Sequence, residues 1–291
     1  MNRLACLLLL CAMNSAWAGA AQPDSVATLR EKYASLKHAF RQNQFKQPLV
    51  LESAESPAGL RGDIYAIVDF PFATVSAELS DPDHWCEVML LHVNTKYCHA
   101  ATGPSGTTLN VNIGRKTPEE LADTARVEFR YSLAPAASDY VGIVLGAQHG
   151  PMGTSDYRIM LEAMALPDAK TLLHLTYSYA VNLAGRMAMQ TYLATIGRDK
   201  VGFSVSRMRA DGQADYIGGV RGVVERNTMR YYLAIDSYLG AGRVAPPAQF
   251  EQRLENWFAA VERYPRQLHE MERKEYLEMK RAEHLRQQAM R

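Results

Sequence analysis

Cys86 and Cys98 are the residues whose type and spacing most readily do chemistry in this chain. Two thiols so close in sequence can close a short covalent loop, or they can join His84, His92 or His99 around a metal ion. The second arrangement does not match the usual zinc spacings. An even pair in an oxidising compartment is most simply a disulfide, so a Cys86–Cys98 bond is expected and no metal site is assigned. Other candidates carry less. His149 lies in the Gly-flanked turn AQHGPMG, where an exposed histidine can serve as a base but is more often simply solvated. No G-x-S-x-G elbow, G-x-x-x-x-G-K-[ST] loop or H-E-x-x-H helix occurs, and neither a catalytic residue nor a cofactor is assigned. A triad assembled from distant positions stays open, because triads are recognised by geometry rather than by order. Arg126, Glu128 and Arg130 alternate along one strand. Turned inward they would meet Glu162; turned outward, the favoured reading, they are a solvated row.

The thiol argument depends on compartment. Met1–Ala18 reads as a secretory leader: Arg3 is the positive start, Leu4 to Met13 the apolar run, and Ala16-Trp17-Ala18 the small-residue cleavage pattern. The run is short of the about 20 residues that a spanning helix needs; an uncleaved anchor is the alternative. Acylation at Cys11 is disfavoured, since Leu8-Leu9-Leu10 offers no small residue before it. A secreted product, most simply periplasmic, is expected, and Cys6 and Cys11 leave with the leader. The chain holds 32 basic and 31 acidic residues. Losing Arg3 balances them, so the basic excess of a nucleic-acid binder is missing and no such partner is expected.

Elements follow from periodicity. Asp24 to Phe40 is an amphipathic helix capped by Asp24 or Ser25, followed by a polar linker to residue 47 and a short strand at Pro48 to Glu52. Asp63 to Phe70 is a strand apolar on both faces, ended by Pro71, which cannot donate to a ladder. Two short helical pieces follow, around Val75–Leu79 and Trp85–Met89, and Leu91 to His99 alternates as a strand. From Leu109 to Val181 the alternation continues through successive strands with short turns, an antiparallel meander. Tyr216 to Leu239 is a long helix with Val220, Val224, Tyr231, Ile235 and Tyr238 on one stripe and an Arg221–Glu225 pair one turn apart. After a linker at Ala245 to Ala248, a helix spans Phe250 to Tyr264. Gln267 to Arg291 is a charged helix with weak apolar spacing, expected as a solvated tail.

The run Ile67-Val68-Asp69-Phe70-Pro71-Phe72, with Asp81-Pro82-Asp83-His84-Trp85 and the Gly218-Gly219-Val220-Arg221-Gly222 lead into the long helix, resembles the START and polyketide-cyclase helix-grip (SRPBCC-type) superfamily. The resemblance implies an α+β fold over residues 48–240, a curved antiparallel sheet around a long C-terminal helix, flanked by a helix and linker at 19–47 and helices at 241–291. It also implies a cavity between sheet and helix for an apolar or lipid-like molecule, with Tyr177, Tyr179, Tyr231 and Tyr238 as broad surfaces with polar tips and Asn227 as a polar anchor. The expected function is binding or carriage. The alternatives are a cyclase or hydrolase working in the same cavity, or an interaction protein whose C-terminal helices touch a membrane or a partner transiently.

Overall fold

The alternating segments pair into one antiparallel sheet of eight strands in the order β1-β2-β8-β7-β6-β5-β4-β3. They are β1 (Leu49–Ser56), β2 (Gly59–Val68), β3 (Thr95–Gly103), β4 (Gly106–Ile113), β5 (Ala125–Leu133), β6 (Tyr140–His149), β7 (Thr154–Leu166) and β8 (Lys170–Val181). This computed structural model describes residues 26–57, 59–134, 137–195 and 198–290; the leader expected at Met1–Ala18 and the cap expected at Asp24 or Ser25 lie outside them. Strands β3 to β8 form the expected meander. The first hairpin joins the last strand of that meander through β2 and β8, with Ile64 opposite Leu175 and Leu60 opposite Tyr179.

Period-2 alternation gives the sheet two different faces. Leu60, Ile64, Ala66 and Val68 of β2 face the same side as Leu173, Leu175, Tyr177 and Tyr179 of β8, and this side carries the main core. Helix α5 (Gly219–Ala241) lies there against β1, β2 and β8. The approach is close: a Cβ at Gly62 would stand 2.2 Å from Thr228 Oγ1, so only glycine lets helix and strand touch there. On the opposite face, α1 (Val26–Arg41) packs Leu29, Leu36 and Phe40 onto Tyr65, Tyr140, Met164 and Leu172. An eight-stranded antiparallel sheet gripping one long helix is the α+β helix-grip architecture expected from the sequence. Helix α5 is also apolar beyond its sheet-facing stripe, because α3 and α6 cover its far side. The anticipated Arg221–Glu225 pair is replaced by a shared partner. Arg221 donates to Ser53 Oγ, while Glu225 accepts Ser53 Oγ and the backbone N–H groups of Phe203 and Ser204.

Between β2 and β3 the chain crosses the sheet as α2 (Phe72–Leu79) and α3 (Pro82–Leu91). Pro71 precedes the first. Asp81 caps the second by accepting from the Asp83 N–H at 2.8 Å, with Pro82 in the first turn, where its missing donor costs nothing. The second helix runs through Leu91, so β3 begins only at Thr95. Cys86 of α3 and Cys98 of β3 are bonded, both fully buried, with Trp85 beside them donating its indole N–H to the Leu79 carbonyl. The bond closes a loop of 12 residues. Cys86→Ala with Cys98→Ala is therefore expected to lower unfolding stability by about 3 kcal/mol, as the chain-entropy account gives for such a loop. Urea titration of the oxidised protein against the double variant measures this; a loss under about 1 kcal/mol would contradict the loop argument.

The C-terminal segments differ from expectation. Pro246 and Pro247 do not form a linker but open α6 (Pro246–Glu262), at positions where proline suits a helix start. A short turn α7 (Pro265–Leu268) follows, then α8 (Arg273–Ala289). The last helix is not a solvated tail. Tyr276, Leu277, Met279, Lys280, Glu283 and Gln287 are buried on it. Tyr276 donates to the Leu91 carbonyl, and Gln287 Oε1 accepts the Cys98 N–H, closing a backbone donor on the edge strand. The stripe was illegible because its buried members include Lys280, Glu283 and Gln287, which hydropathy counts as solvent-facing.

Candidate functional site

Strand β8 and helix α5 bring tyrosines together by geometry alone. Positions 177 and 179 share the inner face of β8, and Tyr231 meets them from the fourth turn of α5. The Tyr177 and Tyr231 ring centroids stand 5.3 Å apart, and Tyr157 from β7 stacks on Tyr179 at 5.2 Å. His92 extends the row by stacking on Tyr231 at 5.0 Å. Burial holds the Tyr177, Tyr179 and Tyr231 phenols well above their usual range, so their hydroxyls keep their protons and can both donate and accept. His92 is held below its usual range by burial and by the nearby Arg230, Lys280, Lys116 and Lys96 cations, so its ring is neutral.

These rings fill much of the space between sheet and helix. At the end of the gap beyond Tyr179 a cavity of about 120 Å³ remains, bounded by Leu60, Val181, Met189 and Val220, with Glu55 and Arg186 at its edge. Val181 is the next inward residue of β8 after Tyr179, so the cavity continues the tyrosine row. Its outer lip includes α4 (Leu183–Ala194), where Met187 is exposed. Among the expected site residues, Tyr177, Tyr179 and Tyr231 converge on this gap. Asn227 and Tyr238 are placed elsewhere. Asn227 is half-buried and accepts from the Arg230 guanidinium on the side of α5 facing α7. Tyr238 donates to Glu78 at 2.9 Å, its ring 4.2 Å beneath the Arg253 guanidinium.

A second polar constellation, unread in the sequence, lies under α1 on the other face of the sheet. His174 stands between two carboxylates, with Nδ1 2.8 Å from Glu162 and Nε2 2.9 Å from Asp63. Tyr140 donates to the free oxygen of Glu162 at 2.6 Å, Thr176 donates to Asp63 at 2.6 Å, and Arg61 grips Asp63 through two N–H groups. Burial alone would lower the His174 pKa, but hydrogen bonds to both carboxylates outweigh it and raise the value. Burial would raise that of Asp63, yet its bonds from His174, Arg61 and Thr176 carry it far down. A histidine flanked on both ring nitrogens by carboxylates is an imidazolium. Two anions and two cations make the cluster neutral. The signal available was a set of polar residues at strand positions that α1 must cover.

Arg126, Glu128 and Arg130 are exposed and point outward, as expected, and His149 is exposed at the end of β6. Among the described residues no group of acid, histidine and cysteine side chains is arranged to hold a metal ion.

No family model matches the chain, and no curated protein matches it. Solved structures do. A conserved protein of Geobacillus kaustophilus is 11% identical over 62% of this chain and 95% of its own, with a TM-score of 0.36. Ara h 8.0201 is 10% identical over 66% of this chain and 99% of its own, TM-score 0.35. Norcoclaurine synthase of Thalictrum flavum, in complex with dopamine and hydroxybenzaldehyde, is 13% identical over 52% of this chain and 80% of its own, TM-score 0.33. The fold assignment rests on the strand order and on the seat of α5.

Proposed function

We propose that this protein is an exported binder of an apolar molecule, held between sheet and long helix at the end marked by Tyr179. The observation that carries it is the 120 Å³ cavity, walled by Leu60, Val181, Met189 and Val220, where Val181 follows Tyr179 on the inner face of β8. A dry apolar cavity of about 150 Å³ takes up benzene, so this one suits a single ring or the end of a chain. A longer guest would leave the remainder of its chain on the α4 lip. Burying about 100 Å² of apolar guest contributes about 2.5 kcal/mol, so specificity falls to Arg186, Glu55 and Ser56 at the edge. Export is supported by the leader pattern and by the Cys86–Cys98 bond, since disulfides persist in oxidising compartments.

Native mass spectrometry of protein taken from its own host, followed by organic extraction, tests the reading. A bound apolar species is expected, and it should be absent from Val220→Trp, which fills the cavity mouth. Protein that leaves its host empty, or a guest indifferent to Val220→Trp, would remove the proposal.

A further inference from the structure

A larger hollow lies away from the sheet–helix gap. The loop after β4, residues 114–120, stands against one stripe of α8 and leaves a cleft of about 540 Å³, within the size range of small-molecule sites. Glu275, Met279, Ala282 and Arg286 recur along that stripe at helical spacing. At 1.5 Å per residue, Glu275 to Arg286 spans roughly 16 Å. Met271, Met279, Pro118 and Ala282 give the cleft an apolar floor.

Its charges are unevenly committed. Glu270 takes Lys116 at 2.8 Å, Arg230 at 2.5 Å and Lys200 at 3.4 Å. Glu119 is held by Arg115, and Glu283 by Lys96 and Lys280. Glu275 closes the helix capping box, and Glu278 faces Lys274 at 3.9 Å. Every carboxylate in the lining thus has a partner within the protein. Arg286 does not pair with a carboxylate among the described residues; one of its N–H groups donates to the neutral carbonyl of Glu119 at 3.2 Å. At this end Arg286 and Arg115, with the buried Lys96 and Lys280 behind them, stand with Glu119 and Glu283, so cations outnumber carboxylates in this paired group and oppose the weak negative end of the helix.

We propose that this cleft is a second binding site, for a single-chain amphiphile with a carboxylate head. The head meets the planar fork of Arg286, and the chain lies over Ala282, Met279 and Met271 toward Lys116. The site is independent of the sheet–helix gap, which lies across the molecule's other elements.

The test is calorimetric titration of the full protein with decanoate, decanol and decyltrimethylammonium below their aggregation concentrations. Decanoate is expected to bind at least tenfold more tightly than either of the others. Arg286→Glu should abolish that preference. Ala282→Trp, a change at an exposed position, should weaken decanoate tenfold or more by filling the floor, while Val220→Trp in the other cavity leaves it unchanged. Circular dichroism confirms that each variant keeps its fold. Absence of decanoate binding, equal or tighter binding of decyltrimethylammonium, or binding that ignores both Arg286→Glu and Ala282→Trp would overturn the proposal. Loss on Val220→Trp alone would move the decanoate to the sheet–helix gap and equally end it.

Discussion

Glu283→Ala is expected to cost about 3–5 kcal/mol, the range for removing one partner of a buried ion pair. Glu283 answers two ammonium groups, Lys96 Nζ at 3.0 Å and Lys280 Nζ at 2.8 Å, and both lysines are completely buried. Without the carboxylate, Lys280 keeps the carbonyls of His92 and Thr95, and Lys96 keeps that of Val93 and the Met279 sulfur. Those dipoles do not offset two desolvated charges. Burial already lowers Lys280 to about 8, with Glu283 opposing the fall and Lys96 assisting it. A lysine that binds its proton less tightly when folded adds stability as pH rises from about 8 toward its unfolded value of 10.5. That rise should steepen in Glu283→Ala. Urea unfolding at pH 7 and pH 10 measures both effects. Glu278→Ala, at an exposed position on the same helix, should change stability by less than about 0.5 kcal/mol. Replacing Lys96, Lys280 and Glu283 together with apolar residues should recover most of the loss, because a buried ion cluster is often replaceable by packing.

The same residues mark where sequence reading stops. Strand alternation, Pro71 and the long apolar stripe of α5 are local signals, each dictated by period and backbone chemistry, and they sufficed for the helix-grip order. The convergence of Tyr177, Tyr179 and Tyr231 was legible too, because parity on a strand and phase on a helix predict which way a side chain points. Asn227 shares the helical phase of Tyr231, but the helix is covered on several sides, so phase alone could not choose between gap and α7. Docking of α8 depends on Lys280, Glu283 and Gln287 finding partners far away in sequence, on β3 and in the turn before it. The Asp63–His174–Glu162 cluster is of the same kind. Polar residues are buried only when distant partners satisfy them, and spacing along one chain does not reveal those partners.

His174→Gln is expected to destabilise the protein by about 3–5 kcal/mol near pH 5, again because charged partners lose their counterpart in a buried site. Asp63 retains Arg61, but Glu162 retains only the Tyr140 hydroxyl and whatever one amide can supply. The loss should reach α1 first, since Leu29, Leu36 and Phe40 cover this cluster through Tyr65, Tyr140 and Leu172. Hydrogen exchange should therefore speed up over Val26–Arg41 more than over α5. The pH profile separates this account from simple packing loss. The folded pKa of His174 is raised above 6.5, so its contribution is fully present below 6.5 and decays as pH rises through the folded value. The folded pKa of Asp63 is depressed below 3.8, so its contribution is present above 3.8 and fades as pH falls toward the folded value. Together they produce a plateau from about pH 4 to 6.5 with a decline on each side. His174→Gln should flatten the alkaline decline and shrink the acid one without abolishing it, since Arg61 and Thr176 still hold Asp63 there. Urea unfolding from pH 3 to 8 is compared between the two proteins, so that the titration of Lys280 near 8, common to both, cancels. A variant whose alkaline decline persists would show that His174 does not hold its proton between the two carboxylates.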